Sequence, residues 1–278
     1  SAQQRVHSLT VDKTASTAYD FTAEQFIFNV RDYMDKFGRS AVAELGTEIE
    51  SDIASVIPSN TFRFFDAVST PFSTYLQVAN MITLFRNFGA AKTNTKVVMA
   101  DVSYPAILNS GLNQFVPSRN ERDAMSWELG SFMQTDFYSS NLLPVHTAGS
   151  EGDAGSTLQV VSVTKNANDA VTSITFSGTN AASDANSIKE NDKLVFNDGV
   201  GSFANMRYRT FIGHKPSNNP VQFRATADAA STAGSQVTVS VYPPLKASSG
   251  KDQNINQEIQ VGMQVSVLPS HKCGLIMA

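Results

Sequence analysis

Between residues 21 and 57 the apolar positions recur in steps of three or four: Phe26, Val30, Tyr33, Phe37, Ala41, Leu45, Ile49, Ile53 and Val56. That is the spacing of one face of an α-helix. Arg31, Asp32, Asp35, Glu44, Glu48 and Asp52 fall off the stripe. Thr22 with Gln25 forms a capping box, and Phe21 with Phe26 a hydrophobic staple, so the pattern starts the helix at Thr22. Pro58 stops it, because the residue before a proline is pushed out of the helical region. At about 1.5 Å per residue the helix would be on the order of 50 Å long, a spine across a flat domain with its stripe against the core and Gly38 and Gly46 as bend points.

Ahead of it, Arg5–Val11 and Thr17–Phe21 have β character and flank the polar turn Asp12–Ser16, which reads as a hairpin. A lone hairpin is marginal in water, so it packs on its own domain or reaches a neighbouring subunit. In the second case Val6, Leu9 and Val11 would be uncovered within their own chain. After the spine, Thr70 as N-cap and Pro71 at N1 open a second helix with Tyr75, Val78, Ile82 and Phe85 on one face and Gly89 as its C′ residue. Lys96–Ala100 reads as a strand, Tyr104–Ser110 as a short helix, Arg122–Leu129 as another capped by Asn120 or Ser118, and Phe132–Val145 as β.

After His146 the helical period vanishes and Ser, Thr, Ala, Asn and Gly dominate. Short strands are predicted at Leu158–Thr164, Val171–Ser177, Lys193–Asn197, Val221–Thr226 and Gln236–Val241, where Val237, Val239 and Val241 alternate strictly. This is a separate all-β module, a small barrel or sandwich. Ile259, Val261, Met263, Val265 and Val267 alternate again near the end.

Composition narrows the function. With 41% hydrophobic residues in 278, the chain can bury a core, and 21 Lys and Arg against 25 Asp and Glu argue against nonspecific phosphate gripping as its main task. No apolar run approaches the roughly 18 to 20 residues of a membrane helix, and no secretion signal opens the chain. The first residue is Ser, which suggests a processed or partial product. The single cysteine, Cys273, cannot form an internal disulfide. There is no Gly-x-Ser-x-Gly, no His-Glu-x-x-His and no Walker loop, so no enzyme, cofactor or metal is expected. His7, His146, His214 and His271 are scattered, and a shared site would need tertiary coincidence. His271-x-Cys273 offers two soft ligands where structural zinc takes four, so it reads as a buried thiol beside a surface imidazole. Glu48 and Asp52 read as a solvated face, Asn197-Asp198-Gly199 as a turn, and Trp127, Phe62, Phe64 and Phe65 as core.

Taken in order, hairpin, long helix, mixed body and inserted β module resemble the major coat protein of tailed bacteriophages, the Hong Kong 97 fold. The chain is most similar to the short-tailed Salmonella phage subfamily whose coat protein carries an inserted β-barrel. The stretch Leu129–Gly149 looks like the segment leading from the core into the insertion. Asn191–Phe196, Val221–Thr226 and Val237–Pro244 look like strands of the insertion domain. The resemblance implies an α+β capsid fold divided into an extended loop at 1–21, a capsid core at 22–146 (spine helix 22–57, mixed body 58–146), an inserted barrel at 147–250 and a return strand into the core at 251–278. It implies a virion protein, assembled in the host cytoplasm into hexameric and pentameric capsomers. Scaffolding and portal proteins would be partners, with double-stranded DNA held inside without sequence-specific binding and no membrane contact. Arg5, Val6, Leu9, Val11 and Phe21 would then be intersubunit contacts. Family members carry an N-terminal arm before the hairpin and more axial and peripheral domain after the insertion, so the resemblance implies either that both ends were removed or that the shell is built differently here. The alternative is a virion surface or tail adhesin whose β domain binds glycan or receptor.

Overall fold

The computed structural model describes residues 14–16, 38–65, 74–89, 94–101, 103–109, 131–197, 206–210, 215–250 and 252–277. Outside these lie the hairpin over Arg5–Phe21 except Thr14–Ser16, with its contact residues Arg5, Val6, Leu9, Val11 and Phe21, and also the helix start at Thr22 and the helix at Arg122–Leu129 with Trp127. The chain divides into two units, residues 1–55 and 56–278. The fold is mixed α+β, mostly strand, and contains a closed six-stranded β-barrel.

In the first unit, helix α1 spans Arg39–Ser55. Ala41 and Ala54 are buried, but Val42, Ile49 and Ile53 are 70%, 53% and 64% exposed. The expectation that Ile49 and Ile53 face a core is therefore corrected: periodicity says which residues share a face, not what covers it.

The second unit opens with a turn at Val56 and a helical turn α2, Ile57–Asn60, with Pro58 in its first turn. Pro58 therefore begins a helix as well as ending one, since a first-turn residue needs no N–H donor. Helix α3, Tyr75–Asn87, starts at Thr74, not at Thr70. Thr74 Oγ1 accepts from the Gln77 N–H at 3.3 Å and Gln77 Oε1 accepts from the Thr74 N–H at 3.1 Å, a reciprocal capping box. Gly89 follows its C-cap at φ 96°, the left-handed conformation that favours glycine.

Strand β1, Thr95–Ala100, is followed by helix α4, Ser103–Asn109. Strands β2, Ser131–Phe132, and β3, Thr135–Ser140, then form a hairpin. Strand β14, Leu275–Met277, completes a four-stranded sheet in the order β14-β1-β3-β2, with β1 and β3 parallel. Val78, Met81 and Ile82 of α3, Val97 and Met99 of β1 and Ile107 of α4 form its core, with Phe65, Phe137 and Ile276 packed against them.

Between β3 and β14 the chain leaves through β4, Val145–His146, makes the helical turn α5, Ser150–Asp153, and builds the barrel. Its strands are β5 (Thr157–Lys165), β6 (Val171–Ser177), β7 (Lys193–Phe196), β10 (Gln222–Ala225), β11 (Gln236–Leu245) and β12 (Gln264–Val267). They close in the order β10-β11-β6-β5-β12-β7, every pair antiparallel. A side hairpin of β8, Arg207–Arg209, and β9, Pro216–Pro220, stands apart from the closed ring. Alternation fills the interior: Leu158, Ile174, Phe176, Leu194, Phe196, Phe223, Val239 and Val265 are all at most 1% exposed.

The run Ile259–Val267, expected to return to the capsid core, supplies the barrel's closing strand instead. Without β12 the edges of β5 and β7 would stay unpaired, so the barrel boundary moves from 250 to about 268. The return is carried by β13, His271–Lys272, which pairs with β4, and by β14. No helix among the described residues is long and apolar enough to cross a membrane.

Candidate functional site

Two features fasten the barrel to the body: the neck where the chain enters and leaves it, and one stretch of its outer wall. At the neck β4 and β13 lie side by side, His271 opposite His146 and Lys272 opposite Val145, and the Cys273 N–H donates to the Pro144 carbonyl at 2.9 Å. The Ala148 N–H donates to the Ser270 hydroxyl at 2.9 Å, and the Ser270 N–H to Asp153 at 2.9 Å. The Ser270 amide and hydroxyl hold the Asp153 carboxyl below the usual carboxylate range.

Beneath the neck sits Asp192, fully buried. Its Oδ1 lies 2.7 Å from His146 Nε2, and its Oδ2 accepts from the Gly149 N–H at 3.1 Å and the Lys189 N–H at 2.8 Å. One carboxylate thus joins the incoming strand, the N-cap residue of the α5 turn and the loop before β7. Glu151, also fully buried, accepts the Asn180 N–H on both oxygens at 3.0 Å and the Ser187 hydroxyl at 3.3 Å. Buried carboxylates persist where hydrogen bonds satisfy them, and these hold backbone. The Ser150 hydroxyl donates to Asp184; this bond and the Asn186 amide lower the Asp184 carboxyl. Gly149 is required by space: a Cβ there would sit 2.4 Å from the Ser187 carbonyl and 2.8 Å from Ile188 Cα.

The outer wall is made by β7 and β10. Leu194, Phe196 and Phe223 point inward, so Lys193, Val195, Gln222 and Arg224 face out; residues 58–65 lie against the first three, and Arg224 lies over the ring of Tyr242. Lys193 is 4% exposed, and its ammonium donates to the Pro58 carbonyl at 2.6 Å and to the Thr61 carbonyl. Burial, and then Arg224 opposite it on β10, push its pKa down to about 8. Gln222 Oε1 accepts from the Phe64 N–H at 3.1 Å while its Nε2 donates to the Phe64 carbonyl at 2.7 Å. The Arg63 guanidinium lies 4.1 Å from the ring centre of Phe88 and 4.5 Å from that of Tyr208, a cation–π stack. A cavity of about 240 Å³ opens between Phe64, Phe65 and Leu84 on one side and Val195, Pro220 and Val267 on the other.

Tertiary coincidence does pair two of the four histidines: the rings of His146 and His271 are 5.5 Å apart. His7 and His214 lie outside the described residues. Cys273 is buried, as expected, and burial pushes its thiol up, away from the reactive thiolate; His271 beside it is half-buried and not a surface imidazole. Among the described residues no three His, Cys, Asp or Glu side chains are grouped to hold a metal. Glu48 and Asp52 are exposed; Phe62, Phe64 and Phe65 are half-buried at the barrel wall. Sequence reasoning missed Asp192, Glu151, Lys193, Gln222 and Arg63. The one available signal was the outward phase of Lys193 and Gln222 in their strands, which reads as solvent-facing. Neither a known protein family nor a curated protein sequence matches this chain.

Proposed function

We propose that the chain is the major capsid protein of a tailed bacteriophage, a Hong Kong 97-like subunit with an inserted barrel, whose activity is self-assembly into a closed icosahedral shell around packaged DNA. The observation that carries this reading is the insertion: a complete barrel leaves a mixed α/β body through β4 and returns through the adjacent β13, between β3 and β14 of one sheet. Exposed apolar residues on α1, Val42, Ile49 and Ile53, also suit a subunit that buries surface on assembly. Closure would come from repeated modest contacts whose rotation closes a shell, with Arg5–Phe21 as the overlapping loop. Scaffolding and portal proteins would be its assembly partners, and the virion its location.

The test is negative-stain imaging and sedimentation of concentrated protein beside a deletion of residues 1–16. Closed particles from the parent and folded, unclosed subunits from the deletion are expected. Discrete trimers retained on glycan would turn the reading to an adhesin. Monomers at every concentration would overturn it.

A further inference from the structure

We propose that residues 58–65 form a releasable strap, latched to the outer wall of the barrel by Lys193 and Gln222, which makes the docking of the barrel depend on the chain that follows α1. Three observations carry this, and none depends on the capsid reading. The latches grip backbone: Lys193 donates to the carbonyls of Pro58 and Thr61, and Gln222 pairs with both the N–H and the carbonyl of Phe64. Substituted strap side chains would leave these bonds in place, so the device reads the path of the chain. The barrel's hydrophobic core includes no strap residue, and Phe62, Arg63, Phe64 and Phe65 are only half-buried. The barrel can therefore keep its core with the strap lifted.

The seam is also open along part of its length. A cleft of about 240 Å³, partly open to solvent, runs between Phe64 and Phe65 on the strap and Val195, Pro220 and Val267 on the wall, so the strap is not sealed over the barrel as a core element would be. Without the Lys193 ammonium the carbonyls of Pro58 and Thr61 lose their donor at the seam, which makes that side chain a latch, and buried charge is best attested where it fixes register or acts in a switch. Between Ser55, the last residue of α1, and the first latch point at Pro58 there are two residues, Val56 and Ile57.

The test uses the full chain, with Lys193→Met, Gln222→Leu and, as a control on the exposed barrel surface, Thr157→Val. Limited chymotrypsin cleavage after Phe62, Phe64 and Phe65 is followed by mass spectrometry, and hydrogen exchange of Val171–Ser177 reports on the barrel. Each latch variant should raise strap cleavage at least tenfold while β6 keeps its protection, and Thr157→Val should change neither. Wild-type cleavage in both latch variants would overturn the proposal, as would loss of β6 protection in step with strap cleavage. Should Lys193→Met fail to fold, Gln222→Leu decides the matter by the same two readouts.

Discussion

Replacing Asp192 separates acceptor geometry from charge. Asp192→Ala strands three donors, His146 Nε2 and the N–H groups of Gly149 and Lys189. The His146 side chain is 10% exposed and water can reach it, so the two amides carry most of the loss. A buried donor left unmade costs about 1–3 kcal/mol, which puts the variant about 3–5 kcal/mol below the parent. At about 2–4 °C per kcal/mol for a unit of this size, its melting temperature should fall by roughly 10 °C. Asp192→Asn keeps one oxygen for the two amides and turns its Nδ2 toward His146, which can accept as the Nδ1–H tautomer. Only charge assistance is lost, about 1–2 kcal/mol. Urea denaturation followed by circular dichroism ranks the three proteins. Asn as damaging as Ala, or both within about 0.5 kcal/mol of the parent, would refute the account of the neck.

Four further outcomes follow from the same contacts. Lys193 has a folded pKa of about 8 against the ordinary 10.5, so the unfolded chain binds more protons between those values and stability rises with pH across them. The parent should gain on the order of 2–3 kcal/mol relative to Lys193→Met from pH 8 to 10.5, read by denaturation at each pH. Gly149→Ala should cost on the order of 2–4 kcal/mol in thermal melts because its Cβ meets backbone, whereas Gly46→Ala, with nothing within 4 Å on an exposed helix, should stabilise by about 0.5–1 kcal/mol. A fragment of residues 147–250 lacks β12 and should aggregate, and one of 147–270 should give a dispersed amide spectrum. Ile49→Asp on the exposed face of α1 should shift subunit stability by no more than about 1 kcal/mol and, under the proposed capsid function, abolish particles in sedimentation; an unfolded variant would mean that the face is covered within the subunit.

What the sequence determined by itself is local periodicity. Val171–Ser177 is predicted to the residue, and the Val237, Val239 and Val241 alternation is one-sided as expected, because side chains on a strand switch faces at every step and one face must leave water. Gly89 is legible as a helix end because a left-handed residue there favours glycine. Which strands pair is a different matter. The run at Ile259–Val267 alternates equally well as a core strand or as the barrel's last, and only the open edges of β5 and β7 decide. Asp192 and Lys193 look like an ordinary polar step into a strand. Their burial is set by His146, 46 residues earlier, and by the carbonyls of Pro58 and Thr61, 135 and 132 residues earlier. Pattern reports a residue's own phase, while the cost of burying a charge is offset by whatever the tertiary fold brings to it.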